Sequence, residues 1–229
     1  NAGAPAPLIA LAALLTGGFL GWLNGALSVW GRVHAIVITL GTLSLYRGAL
    51  LQWTGGRWLV NLSPELTLFG QSSPAGIPAP LLVAAGAALG TLIFLRHLPA
   101  GRRLYTIGSD RARAAVSGIH AGRVLPMAFA IAGLLAGLAG LLQAARYGQV
   151  QSNTGIGFEL KAIAAAVIGG VHIAGGRGGV GGVVLGTLLL ALVANLLVLW
   201  HVSVYWEGVV VGAALLGVLA TDGVLRRKC

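Results

Sequence analysis

Residues 178–206 read GGVGGVVLGTLLLALVANLLVLWHVSVYW, a run of 29 positions without a Lys, Arg, Asp or Glu. About 20 apolar residues, each rising ~1.5 Å along a helix, cross a hydrocarbon core of ~30 Å. Similar uncharged runs cover 1–31, 66–95 and 124–145. The whole chain of 229 residues is 57% hydrophobic and only 9% charged, with a mean hydropathy of +0.89. A water-soluble domain has no use for that much apolar surface. The runs are continuous, whereas barrel strands alternate in polarity over roughly ten residues. The fold class is therefore an all-α, polytopic transmembrane helical bundle. Spans are expected at roughly 7–30, 33–52, 79–96, 124–143, 159–175, 180–200 and 204–221, about seven in all.

The net charge of +10 does not point to nucleic acid, because the Arg residues lie between apolar runs rather than among aromatics on one soluble face. Lys and Arg accumulate in short cytoplasmic loops. The interval 97–123 holds Arg102, Arg103, Arg111, Arg113 and Arg123 against one acid, Asp110, and the chain ends Arg226, Arg227, Lys228. Both segments are expected in the cytoplasm. The four spans between them allow it, and they put 53–78 and 144–158 outside. Trp53, Trp58, Trp200 and Trp206 then fall at the outer boundary and Trp30 at the inner one, where indole rings favour the interface. An odd number of spans places Asn1 outside. No initiator Met and no charged leader precede the first apolar run, so N-terminal spans are expected to be missing. The single Cys229 offers no internal disulfide and no metal or redox framework.

Glycine occurs 37 times, with small-xxx-small spacings at Gly17, Gly21 and Gly25, at Gly133 and Gly137, and at Gly178, Gly182 and Gly186. In lipid no hydrophobic force draws helices together, so close backbone contact at small residues is a main source of association. Gly176, Gly178 and Gly181 match G-x-G-x-x-G, but a dinucleotide turn needs a strand before it and an acid ~20 residues on, and the flanks here are apolar helices with no acid before Glu207. A tight cytoplasmic turn packing two helices explains these glycines better. No G-x-x-x-x-G-K-[ST] is present, so any nucleotide is held by another subunit. The five His residues, 34, 97, 120, 172 and 201, lack metal-ligand spacing, and no nucleophilic triad stands out.

Polar groups within spans are informative because a charge at a helix centre costs at least ~2.5–3.5 kcal/mol. Arg47, Arg146 and Glu207 lie near expected outer ends, where snorkelling accounts for them. Glu159 and Lys161 open a span, and two residues apart they point about 200° away from each other. Candidates for a polar path through the membrane are Asn24, Thr39, Arg47, Glu159, Lys161 and Asn195. In the basic interval, Asp110 can begin a short helix through Ala112-Arg-Ala-Ala-Val, and Gly118 suits the left-handed residue that ends it.

The stretch Gly101-Arg-Arg-Leu-Tyr-Thr-Ile-Gly-Ser-Asp-Arg-Ala-Arg-Ala-Ala-Val-Ser-Gly-Ile resembles the cytoplasmic coupling segment of ribose-type ABC permeases, a degenerate importer motif with a Gly-Arg opening and an Ala-Ala-x-x-Gly-Ile core. The likeness continues through Ile38-Thr-Leu-Gly-Thr-Leu-Ser-Leu-Tyr-Arg-Gly, Glu159-Leu-Lys-Ala-Ile-Ala-Ala, Val167-Ile-Gly-Gly and Gly175-Gly-Arg-Gly. Thr54-Gly-Gly-Arg-Trp, Asn153-Thr-Gly and Leu219-Ala-Thr-Asp-Gly most resemble the autoinducer-2 import permeases, with rhamnose permeases next. Arg113 stands where importer motifs often carry Glu, so an acid-mediated contact does not carry over. Family members have about ten spans.

The resemblance implies a single permease domain over 1–229, a multi-pass chain of the bacterial inner membrane with 97–123 as its cytoplasmic coupling loop. Its expected task is import of a small polar, sugar-like solute such as autoinducer-2, rhamnose or ribose. It implies no enzymatic activity and no cofactor in this chain, with ATP and Mg held by partner ATPase subunits. A second permease chain, identical or homologous, and a periplasmic solute-binding protein complete the implied assembly. Asp110, Arg111, Arg113, Ala114, Ala115 and Gly118 are the implied contact to the ATPase. The rival classes are an ion-coupled secondary transporter, which uses intramembrane acids and broken helices, and a purely structural membrane scaffold.

Overall fold

The computed structural model describes residues 5–31, 33–60, 62–172, 175–201 and 205–226. Ten α-helices occur among them: α1 (Ala6–Trp30), α2 (Ala35–Thr54), α3 (Pro64–Gln71), α4 (Ala79–His97), α5 (Pro99–Ser109), α6 (Arg111–Val116), α7 (Ala121–Tyr147), α8 (Phe158–Ile168), α9 (Val180–Leu199) and α10 (Tyr205–Arg226). Two short strands, β1 (Leu59–Val60) and β2 (Gln149–Val150), complete the described elements. The polytopic all-α fold expected from composition is the one adopted. Of the described helices, α1, α2, α4, α7 and α9 are long and apolar enough to cross a membrane.

The span expected over 159–175 is shorter than its apolar run suggested. Helix α8 has 11 residues, about 16 Å of rise, or half a bilayer core. It stops because Gly170 takes φ +82°, donating from its N–H to the Val167 carbonyl while Val171 donates back to Ala166. That paired closure is the left-handed helix stop that glycine permits. The basic interval is also more ordered than a loop. Pro99 occupies the first turn of α5, where its missing N–H costs nothing, and α7 begins at Ala121, taking in Arg123. The tail residues Arg227, Lys228 and Cys229 lie outside the described residues.

The chain forms two compact units. The first comprises Asn1–Gly90 and Ala112–Thr154, the second Thr91–Arg111 and Gly155–Cys229. In the first, α1 packs along α7 through the predicted glycines. A Cβ on Gly21 would lie 3.0 Å from the Gly133 Cα, and one on Gly17 3.1 Å from the Gly137 Cα. Gly25 approaches Pro126 and Phe129 in the same way. Helix α3 joins α7 where Gly70 meets the Ala145 backbone, and β1 pairs antiparallel with β2, Leu59 opposite Val150. The Ser152 hydroxyl donates to the Arg57 carbonyl at 3.0 Å and contacts the Thr54 hydroxyl at 3.2 Å. Residues 57–60 and 149–152 therefore meet at one end of the first unit.

In the second unit α8 packs on α9 and α10. Gly186 faces Gly169, and Gly182 faces the Gly169 carbonyl. Gly178, the third member of that spacing, precedes the helix and rests on Val171. Buried positions across the described residues are mostly Ala and Gly, whereas Leu and Phe of the spans are exposed, among them Leu15, Phe19, Leu185 and Leu192. This inverts the order of a soluble core, since lipid solvates large apolar side chains and leaves the small ones to bring backbones together. Trp30, Trp53, Trp200 and Trp206 all stand at helix ends.

Candidate functional site

Helix α6 has six residues, Arg111–Val116, too few to persist without support. Its C-terminus is closed by two bonds, Gly118 N–H to the Ala115 carbonyl and Ile119 N–H to the Ala114 carbonyl, both at 3.0 Å. Gly118 takes φ +74°, the left-handed stop expected from sequence. Asp110, the single residue between α5 and α6, has extended backbone. Ala114 is 1% exposed and so is anchored within the chain, while Val116 is 92% exposed. Arg111, Ala112, Arg113 and Ala115 are exposed too. The exposed surface of α6 is therefore Arg111 and Arg113 around a small apolar patch, with Val116 rather than Ala114 on it.

Helix α5 is amphipathic. Gly101 and Ile107 are buried and Leu104, Tyr105 and Gly108 half-buried, while Arg102, Arg103 and Thr106 are exposed. Its inner face receives the turn 175–179. The Tyr105 hydroxyl donates to the Gly178 carbonyl at 2.9 Å, and a Cβ on Gly108 would lie 3.1 Å from the Gly176 Cα. Gly175 and Gly176 both have positive φ. The turn is fastened to the basic segment, in keeping with the packing role read for these glycines.

The candidate path residues fall into two groups. In the first unit the Tyr46 hydroxyl of α2 donates to Oδ1 of Asn24 in α1 at 3.1 Å, both side chains being half-buried. Arg47 follows Tyr46 in the chain and is half-buried as well. Thr39, two turns earlier on α2, spends its hydroxyl on its own helix at the Ile36 carbonyl. In the second unit Glu159 and Lys161 occupy the first turn of α8, with Lys161 Nζ 5.5 Å from the centre of the Phe158 ring, a cation–π distance. Asn195 is exposed on α9, toward the same end as Glu159 because the approaches of Ala165 to Gly186 and Gly169 to Gly182 run antiparallel. Tyr46 was not singled out in the sequence. Its spacing from Thr39 and Thr42 on one helical face was the available signal.

Residues 1–219 match the family described as branched-chain amino acid transport system / permease component. The chain belongs to this family. Among the curated relatives of this permease are the Autoinducer 2 import system permease proteins LsrC of Enterobacter sp. (strain 638), 40% identical over 232 residues, and of Salmonella typhimurium, 40% identical over 226. That of Escherichia coli (strain K12 / DH10B) is 39% identical over 235 residues. Each alignment takes in 99% of this chain, and the chain spans 66% of the Enterobacter relative and 65% of the Salmonella one. The resemblance drawn from the motifs is thus borne out over nearly the whole chain. No solved structure matches. The half-length α8 is a feature that ion-driven carriers also use, but the family match places this chain among permease components.

Proposed function

We propose that this permease is the membrane-spanning subunit of an inner-membrane importer for a small polar, sugar-like solute, driven by ATP hydrolysed on a separate subunit. The solute is of the class of autoinducer-2, ribose or rhamnose, and 97–123 together with the C-terminus faces the cytoplasm. A binding protein delivers the solute from the periplasm, and a second permease chain completes the pore. The relatives' names support the solute class. The observation that carries the mechanism is α6. Ala114 holds α6 to the rest of the chain, so a partner that moves this helix moves the backbone it is packed into. Its exposed Ala112, Ala115 and Val116 let a partner groove approach closely, with Arg111 and Arg113 suited to an acidic rim.

The test is uptake of labelled autoinducer-2 by cells carrying the complete system, read beside copurification of the ATPase. Ala115→Trp puts a large ring on the exposed face of α6 and is expected to reduce both about tenfold or more, a loss of roughly 1.4 kcal/mol of association, while the protein stays membrane-inserted. Full uptake and full association in this variant would remove α6 from the coupling role. Uptake of leucine in place of autoinducer-2 by the unaltered system would overturn the solute class.

A further inference from the structure

The Tyr46 hydroxyl and the Asn24 carboxamide join two long apolar helices of the first unit through a side-chain hydrogen bond. Tyr46 stands near the middle of α2, eleven residues after Ala35 and eight before Thr54. At ~1.5 Å per residue this is about 2 Å from the centre of a helix just long enough to span the core. Asn24 lies well inside α1, six residues before Trp30. A carboxamide and a phenol at such depth are costly against lipid and belong against another helix or a water-filled passage. Both remain half-exposed after meeting each other, so their bond leaves part of each side chain open.

What remains open has a definite chemistry. Asn24 uses Oδ1 to accept from Tyr46, which leaves its Nδ2 amide, with two N–H donors, without a described partner. The Tyr46 oxygen keeps its acceptor capacity, and the Tyr46 ring offers an apolar face. Thr42, one turn before Tyr46 on the same side of α2, has its hydroxyl turned to the Ile38 carbonyl. Neutral donors and acceptors beside an aromatic face suit a neutral solute with several hydroxyl groups, whose O–H groups bond and whose C–H face lies on the ring.

We infer that Asn24 and Tyr46 form a hydroxyl-recognising step at mid-membrane, selecting neutral polyhydroxylated solutes during passage. This rests on the importer reading above and adds to it the residues that discriminate. The expectation differs from that for a bond which merely ties α1 to α2. A tie, when cut, lowers the amount of inserted protein or the maximal rate. A recognition step, when cut, weakens apparent affinity.

The experiment uses the complete transporter in cells and measures autoinducer-2 uptake over a range of concentrations for Tyr46→Phe and Asn24→Leu. The first removes only a hydroxyl, and the second replaces the carboxamide with an uncharged side chain of similar size. Each is expected to raise KM about five- to tenfold, with maximal rate, membrane level and ATPase copurification unchanged, as losing one or two hydrogen bonds predicts. Unchanged KM in both variants overturns the inference while leaving the importer reading intact, and so does a fall in inserted protein with KM unaltered. Absence of autoinducer-2 uptake by the unaltered transporter would overturn the importer reading and this inference with it.

Discussion

Glycine is used in opposite ways by the α1–α7 seam and by the turn at 175–179. In the seam, Gly17, Gly21, Gly25, Gly133 and Gly137 sit inside regular helices, where the lack of a side chain lets two backbones touch along several turns. In the turn, Gly175 and Gly176 sit at φ +89° and +76°, a conformation glycine reaches without steric cost, and the contact made is with the Tyr105 hydroxyl, Ser109 and one facing glycine of α5. The seam is an extended surface fixed at many points. The turn is held to α5 through Tyr105, Gly108 and Ser109. A region that must keep its form during transport suits the first arrangement, and one that passes on a movement suits the second.

The most damaging way to break that comparison is at the seam. Gly21→Leu would force a side chain into the Phe129 carbonyl and the Gly133 backbone. Overpacking of this kind costs ~1–3 kcal/mol, and with backbone rather than flexible side chain in the way the upper end applies. Membrane-inserted protein should fall about tenfold or more on immunoblots of membrane fractions. A normal level would mean that the seam opens without penalty. The turn should answer differently. Tyr105→Phe removes one hydrogen bond to Gly178, about 0.5–1.5 kcal/mol, and should leave protein level and ATPase copurification unchanged. Solute moved per ATP hydrolysed, measured on the purified complex in vesicles, should drop about two- to threefold. If protein level falls while that ratio holds, the turn is only a packing contact like the seam.

Much of this was legible in the sequence because lipid simplifies the code. Long uncharged runs gave four of the five span-length helices, the apolar stretch around Arg47 gave the fifth, and the four-residue spacing of glycines marked the faces that touch. Which glycines would face which was not legible, since every such stripe is compatible with several others. The length of α8 was hidden for a related reason. Its Ala, Val and Ile run passes into Gly169 and Gly170 without a polar residue, and only the left-handed φ of Gly170 ends the helix there. Helix α5 was concealed by its charges. Arg102 and Arg103 made 97–110 read as a loop, although Gly101, Leu104, Tyr105 and Gly108 share one side at helical spacing. In α6 the stop at Gly118 was readable from local sequence, but the inward turn of Ala114 and the exposure of Val116 depend on packing. The role of Tyr46 was not legible because its partner is 22 positions away.

The central claim, that α6 is the face presented to the ATPase, can be tested with three cysteines in a chain whose Cys229 is replaced by Ser. Val116 and Trp53 are almost equally exposed, at 92% and 93%, whereas Ala114 is 1% exposed. Exposure alone predicts that Val116→Cys and Trp53→Cys behave alike. The account predicts that in the assembled transporter only Val116→Cys cross-links to the ATPase subunit, that Trp53→Cys reacts instead with an impermeant thiol reagent applied from outside, and that Ala114→Cys does neither. Cross-linking of Trp53→Cys to the ATPase, or its absence from Val116→Cys in a complex that still transports, would contradict both the orientation and the coupling role of α6.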